Sequence, residues 1–265
     1  MPISSQRLTE GGRHTRTSQV IQQVIMGQQS SKGVRAHMET AAKTGALVLS
    51  DRKLTELPDL SALNKVLRTL DLSTNRLREL PSSVCDLSSL RHLNLNANRI
   101  ETFPDEIGRL TKLESISVVS NLLISLPVSM SQLKHLKSVI LSDNKITEFP
   151  IMLCGLAQLD VVDLSGNQIT SVPDGIETLQ AVEVNLNMNQ ISTISPSLAA
   201  CPRLKTLRLE ENCLVISSIP EELLLESQVS LLCVDGNLFK MKEFEEIPAY
   251  SKYMERYTAV KKKIF

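Results

Sequence analysis

LRTLDLSTNRL (67–77) returns 23 residues later as LRHLNLNANRI (90–100), then as LESISVVSNLL (113–123), LKSVILSDNKI (136–146) and LDVVDLSGNQI (159–169). With Ile or Val allowed for Leu, all five read L-x-x-L-x-L-x-x-N-x-L. The asparagines run on at Asn75, Asn98, Asn121, Asn144, Asn167, Asn189, Asn212 and Asn237, spaced by 23, 23, 23, 23, 22, 23 and 25 residues. Arg52 holds the same place 23 residues ahead of Asn75, in LVLSDRKLTELP, and opens the series as a ninth, degenerate unit. A period of roughly 20–30 residues marks a chain built of stacked coils, each too small to fold alone.

The physics of one coil follows from strand alternation. In TLDLS, Leu70 and Leu72 point inward while Thr69, Asp71 and Ser73 point out. Stacking lets neighbouring coils share one core, so stability becomes a sum over neighbours. Each buried Leu or Ile contributes roughly 1.5–3 kcal/mol before chain entropy is subtracted. The repeated Asn, placed in a tight turn, must satisfy its amide on backbone groups, because an unpaired buried amide is costly.

The return half of each coil is also legible. LPSSVCDLSSL, FPDEIGRLTKL, LPVSMSQLKHL, FPIMLCGLAQL and VPDGIETLQAV each place a Pro three residues before an apolar position. Proline presets φ for the start of a short helical or 3₁₀ turn. Residues such as Val84, Leu87, Cys85 and Cys154 then cover the outer side of the core. A stack needs lids. RAHMETAAKTG (35–45) predicts an amino-terminal helical cap closed by Gly45, and 240–265, with Phe244, Tyr250, Tyr253 and Tyr257, predicts the carboxy-terminal one. The expected fold is an α/β solenoid: a horseshoe of about nine repeats with a parallel concave sheet, over residues 35–265, behind a disordered segment at 1–34.

The pattern L-x-x-L-x-L-x-x-N-x-L resembles the leucine-rich repeat consensus, and that resemblance implies that each Asn bonds to backbone within and between coils, forming a ladder. A closer resemblance lies in MGQQSSKGVRAHMETAAKTG (26–45), CPRLKTLRLEENCL (201–214) and YSKYMERYTAVKKK (250–263). These are similar to the small intracellular leucine-rich repeat-containing protein 57 family, over essentially all of 26–265. That resemblance implies a chain starting at the equivalent of Met26. MGQQSSKG (26–33) reads as a translation start with an N-myristoylation signal, Met-Gly-x-x-x-Ser, with Gly27 as acceptor and Ser31 closing the motif. Since the transferase needs a free glycine amine, residues 1–25 are expected to come from an alternative or mis-called start. A single myristoyl chain anchors only marginally, at about 10⁴ M⁻¹, so reversible attachment with a pool in the cytoplasm is expected. Lys32 and Arg35 stand near the anchor and add attraction to an anionic leaflet, while Lys261 to Lys263 lie at the far end of the stack.

Composition narrows the function. Lys and Arg number 29 against 29 Asp and Glu, so no global field draws the chain to nucleic acid. No apolar run approaches the length of a membrane span, and the first 20 residues lack a secretory apolar core. Arg7, Arg13 and Arg16 among Ser and Thr faintly suggest a transit peptide, against which stand Glu10, Gly11 and Gly12. Five cysteines without a C-x-x-C pair fit neither a zinc site nor a secreted disulfide framework, and point to a reducing compartment. His14, His37, His92 and His135 stand at no ligand spacing, and there is no phosphate loop. No catalytic residue, metal or cofactor is expected.

The outward strand positions are the candidate partner-binding residues: Asp71, Asn94, Ser117, Ile140, Asp163, Asn185 and Arg208, flanked at the ends by Val48 and Cys233, with Glu210 in the neighbouring column. Neither column has an aromatic anchor, and Arg208 with Glu210 and Glu211 is the best charged patch. The expected function is a monomeric, non-catalytic protein–protein interaction module with an unidentified protein partner, tethered to a membrane through Gly27. The alternative is a regulatory subunit of a phosphatase or small-GTPase complex.

Overall fold

Three-residue strands recur wherever the repeat puts an apolar residue between two outward ones. In the computed structural model, which describes residues 31–262, these are β1 (Ala46–Val48), β2 (Thr69–Asp71), β3 (His92–Asn94), β4 (Ser115–Ser117), β5 (Ser138–Ile140) and β6 (Val161–Asp163). β8 (Glu183–Asn185), β10 (Thr206–Arg208) and β11 (Leu231–Cys233) complete a nine-stranded, wholly parallel sheet. The short β7 (Ser171–Val172) and β9 (Thr193–Ile194) pair with each other on the return side, an element the repeat pattern did not announce. The fold is the α/β solenoid expected from the period.

Every strand buries its middle residue. Leu47, Leu70, Leu93, Ile116, Val139, Val162, Val184, Leu207 and Leu232 form one row, and Leu49, Leu72, Leu95, Val118 and Leu141 begin the next. All belong to one continuous apolar core from Val34 to Tyr253. On the return side the prolines precede short 3₁₀ turns as predicted. The amides of Val84, Ile107, Met130 and Leu153 donate to the carbonyls of Pro81, Pro104, Pro127 and Pro150 at 3.0–3.1 Å.

The asparagine ladder closes each coil. Asn98 Nδ2 donates to the carbonyls of Leu72 and Leu95 at 2.9 and 3.0 Å, and its Oδ1 accepts the Leu77 amide at 3.0 Å. The same set recurs at Asn75, Asn144, Asn167, Asn189 and Asn212, all buried. The residue before each rung is forced into the left-handed region: Thr74, Ala97, Ser120, Asp143, Met188 and Glu211 have φ between 54 and 56°. Only Gly166 and Gly236 supply the residue type that adopts it freely. A left-handed residue with a side chain costs roughly 1–2 kcal/mol, and the ladder bonds oppose that cost at each turn.

Both ends are covered. Helix α1 (Ser31–Thr44) starts about one turn ahead of the expected Arg35, buries Val34 and Ala41, and ends where Gly45, at φ 75°, donates to Ala41 O at 2.8 Å. A Cβ on Gly45 would stand 2.9 Å from the Val66 carbonyl, so glycine is required there on two counts. At the other end, α2 (Glu221–Leu225), α3 (Met241–Glu245) and α4 (Tyr250–Lys261) close the stack. The free edge of β11 is satisfied by Tyr253, whose hydroxyl accepts the Leu232 amide at 3.1 Å. Arg256 donates to the carbonyls of Val229 and Leu224 at 3.0 and 2.7 Å. The Gly27 acceptor and residues 1–30 lie outside the described residues, as do Lys263 and the side chains of Lys32 and Arg35.

Candidate interaction surface

Parallel pairing turns the repeat into columns. The register sets Val48 beside Asp71, Asp71 beside Asn94, Asn94 beside Ser117, and Ser117 beside Ile140. It continues from Ile140 through Asp163, Asn185 and Arg208 to Cys233. The residues picked from sequence thus form one unbroken row across all nine strands, half-buried apart from the exposed Val48. A parallel sheet spaces neighbours by roughly 4.8 Å, which puts the outer members about 40 Å apart.

Much of this row's polarity is already engaged. Asp71, Asn94, Asp163 and Asn185 each accept, through Oδ1, the amide two residues on, at 2.9–3.1 Å. These bonds steer the chain out of the strand into the left-handed turn, so the carboxylates and amides are fixed rather than free to swing. Between strands, His92 Nδ1 stands 2.8 Å from Ser115 Oγ, and Ser117 Oγ donates to Asn96 Oδ1 at 2.8 Å. The face is rigid, polar and built of small side chains.

The charged patch is wired differently from the sequence expectation. Arg208 Nε donates to Glu183 Oε1 at 3.2 Å, one strand back, while Glu210 Oε2 accepts from Asn187 Nδ2 at 2.6 Å. Glu211 occupies the exposed left-handed turn and makes no bond to Arg208. Glu183 was missed because its column, the first residue of each strand, is otherwise nearly neutral: Ala46, Thr69, His92, Ser115, Ser138 and Val161 precede it. The signal available in sequence was the register, which makes Glu183 the diagonal neighbour of Arg208.

A second polar line runs along the edge where the chain enters the strands. Glu114 bridges Arg91 and Lys137, the latter at 2.8 Å, and Asp160 pairs with Arg203. The Lys137 ammonium and then the Arg91 guanidinium hold the Glu114 carboxyl below its ordinary 4.5. No group of three or more His, Cys, Asp or Glu among the described residues is arranged to hold a metal ion, and no helix there is long and apolar enough to cross a membrane.

The Leucine rich repeat family model matches residues 46–100 and 111–169. Among solved structures, the plant peptide hormone receptor RGFR1 in complex with RGF2 is 26% identical over 72% of this chain, with a TM-score of 0.62. A TDR receptor is 26% identical over 74%, with a TM-score of 0.62. A Leptospira interrogans leucine-rich repeat protein is 28% identical over 72%, with a TM-score of 0.47. The chain spans 60% of the Leptospira protein and only 32% and 35% of the two receptors. The repeat period, the ladder and the nine-stranded parallel sheet give the chain the leucine-rich repeat fold, and the family model agrees over the residues it matches.

Proposed function

We propose that the chain is a protein–protein interaction module that presents the row Asp71, Asn94, Ser117, Ile140, Asp163, Asn185 and Arg208, with Glu210 beside it, to a protein partner. The observation that carries this reading is the unbroken register of that row over nine strands. A preorganised polar face loses little side-chain entropy when it is covered. The RGFR1 neighbour, seen with RGF2, supports the reading by its fold and its bound peptide. Resemblance to the leucine-rich repeat-containing protein 57 family adds the finer expectation of a cytoplasmic chain that starts at Met26 and is reversibly tethered through myristoylated Gly27.

Pull-downs with the wild type, Asp163→Arg, Arg208→Glu and a return-side control, Val128→Lys, test the face. The expected result is a protein captured by the wild type and the control and lost by both face variants. Equal capture by all four overturns the assignment. If that protein is a phosphatase or a small GTPase, the module is a regulatory subunit. Intact mass of chains starting at Met1 and at Met26, each co-expressed with the myristoyl transferase, tests the anchor. One added myristoyl mass on the Met26 form alone is expected, and its absence from both forms ends the tethering proposal.

A further inference from the structure

A groove of about 400 Å³ opens between the end of α1 and the strand-entry edge of the first coils, and its charged lining is entirely cationic: Lys43, Lys65, Arg68, Arg91 and Lys112. Five cations come together in a chain whose charges balance at 29 against 29. The coil stack explains how. Arg68 and Arg91 hold equivalent places on adjacent coils, with the Arg91 amide donating to the Arg68 carbonyl at 2.8 Å. Lys112 follows one coil on, beside Glu114, while Lys65 precedes Arg68 and Lys43 reaches in from the last turn of α1.

All five side chains are exposed, yet only Arg91 has a carboxylate partner among the described residues, Glu114, which it shares with Lys137. Four cations therefore stand around one small hollow without an ion pair among the described residues, and Glu114 flanks it only on the side of Arg91 and Lys112. Farther along the same edge the charges alternate in sign and pair, Glu114 with Lys137 and Asp160 with Arg203. At this end only Arg91 finds such a partner among the described residues.

We propose that this groove binds a multiply phosphorylated group. Its volume is that of a small-ligand site. Several cations around one hollow call for several negative charges in a small space, which phosphates supply at two per group and peptide carboxylates only singly. The Arg68 guanidinium suits phosphate oxygens, and the lysines act beside it as point charges. The Thr44 and Ser89 hydroxyls already donate to the carbonyls of Thr40 and Lys65, at 3.1 and 3.0 Å, and the lining has no aromatic side chain on which a base could stack. Gly45 spends its amide on Ala41 O, so recognition is by side chains and is steeply salt-dependent. The carbonyl end of α1 opposes an anion, and Lys43 in its last turn offsets that field. The phosphates can belong to a soluble polyphosphate or to the head group of a phosphorylated lipid.

The test uses the full chain at low salt with two probes. Calorimetry with inorganic tripolyphosphate reads the soluble source. Co-sedimentation with phosphatidylcholine vesicles carrying a phosphatidylinositol bisphosphate, against phosphatidylserine vesicles of equal charge, reads the lipid source. Binding to either probe is expected, with a loss of at least about tenfold in Lys65→Glu/Arg68→Glu, since charge-assisted contacts carry the affinity. Lys205→Glu, on the same edge but outside the groove, should change it by less than about twofold, as expected of an exposed charge beyond the screening length. If thermal melts show the double variant unfolded, Lys43→Gln/Lys112→Gln is read in its place. Failure of both probes, equal weakening by Lys205→Glu, or equally tight binding of polyglutamate would each overturn the proposal, the last in favour of an acidic peptide.

Discussion

Arg52 Nη2 donates to His37 Nε2 across 2.7 Å and ties α1 to the first coil at the one ladder position that lacks an asparagine. Arginine carries only donors, so His37 must accept there and hold its ring proton on Nδ1. Among the described residues Arg52 Nε is buried without a partner, which makes the histidine contact the main outlet for this guanidinium there. His37→Ala should cost about 1 kcal/mol, the worth of one such bond. Because a solenoid opens locally, amide exchange should quicken in α1 and stay unchanged in β5 and β6. Unchanged exchange in α1 would show that the contact does not hold the cap.

The ladder should be strongest in the middle of the stack. Asn121 donates to Leu95 O at 3.0 Å and accepts the Ile100 amide at 3.0 Å, both buried contacts. Asn121→Ala strands both backbone groups and should cost about 2–4 kcal/mol. Asn237, half-buried at the last rung, donates to Leu209 O and Val234 O and accepts the Leu214 amide where water can replace it. Its alanine variant should lose less than half as much in denaturant melts. Equal losses would mean that burial does not set the value of a rung.

The left-handed turns give a paired test of backbone strain. Ser120 has φ 55° with a side chain, and Gly166 has φ 65° without one. Ser120→Gly should stabilise the chain by about 0.5–1 kcal/mol by relieving that strain. Gly166→Ala should destabilise it by about 1–2 kcal/mol, since a Cβ there would also stand 2.5 Å from Asp143 Oδ1 and 3.3 Å from its amide. Same-sign shifts in the two melting temperatures would contradict this account.

Thiol chemistry should sort the cysteines by depth. Burial pushes the Cys85 and Cys201 thiols up to about 12 and Cys154 up to about 11, so they stay protonated and shielded at mildly alkaline pH. Cys213 is exposed. Iodoacetamide on the native chain should label Cys213 first and leave those three untouched until denaturant is added. Cys233, half-buried in the outward row and raised by burial, should react slowly, and more slowly still once a partner covers the face. Early labelling of Cys85, Cys154 or Cys201 would mean that the core opens under native conditions.

The coil, its inward leucines, the outward row and the Gly45 terminus of α1 were all legible in sequence. Each rests on a local rule, either strand alternation or a glycine after a helix, that repetition restates until it is unambiguous. The left-handed turns were not legible, because Thr74, Ala97, Ser120, Asp143, Met188 and Glu211 share no residue type that announces positive φ. What they share is the rung that follows, and its bonds reach into the preceding coil.

By itself, then, the sequence of this protein determined the period of its stack and which side chains face the core, because both depend on near neighbours in the chain. Only the tertiary structure decided the pairings of charge: Arg208 with Glu183, His37 with Arg52, Arg256 with the carbonyls under the last coil, and the cationic cluster around Arg68. Long side chains on a repeating edge can reach several partners at similar separation. Which one they meet depends on the lateral offset of neighbouring coils and on where the caps come to rest, and no window of sequence contains those quantities.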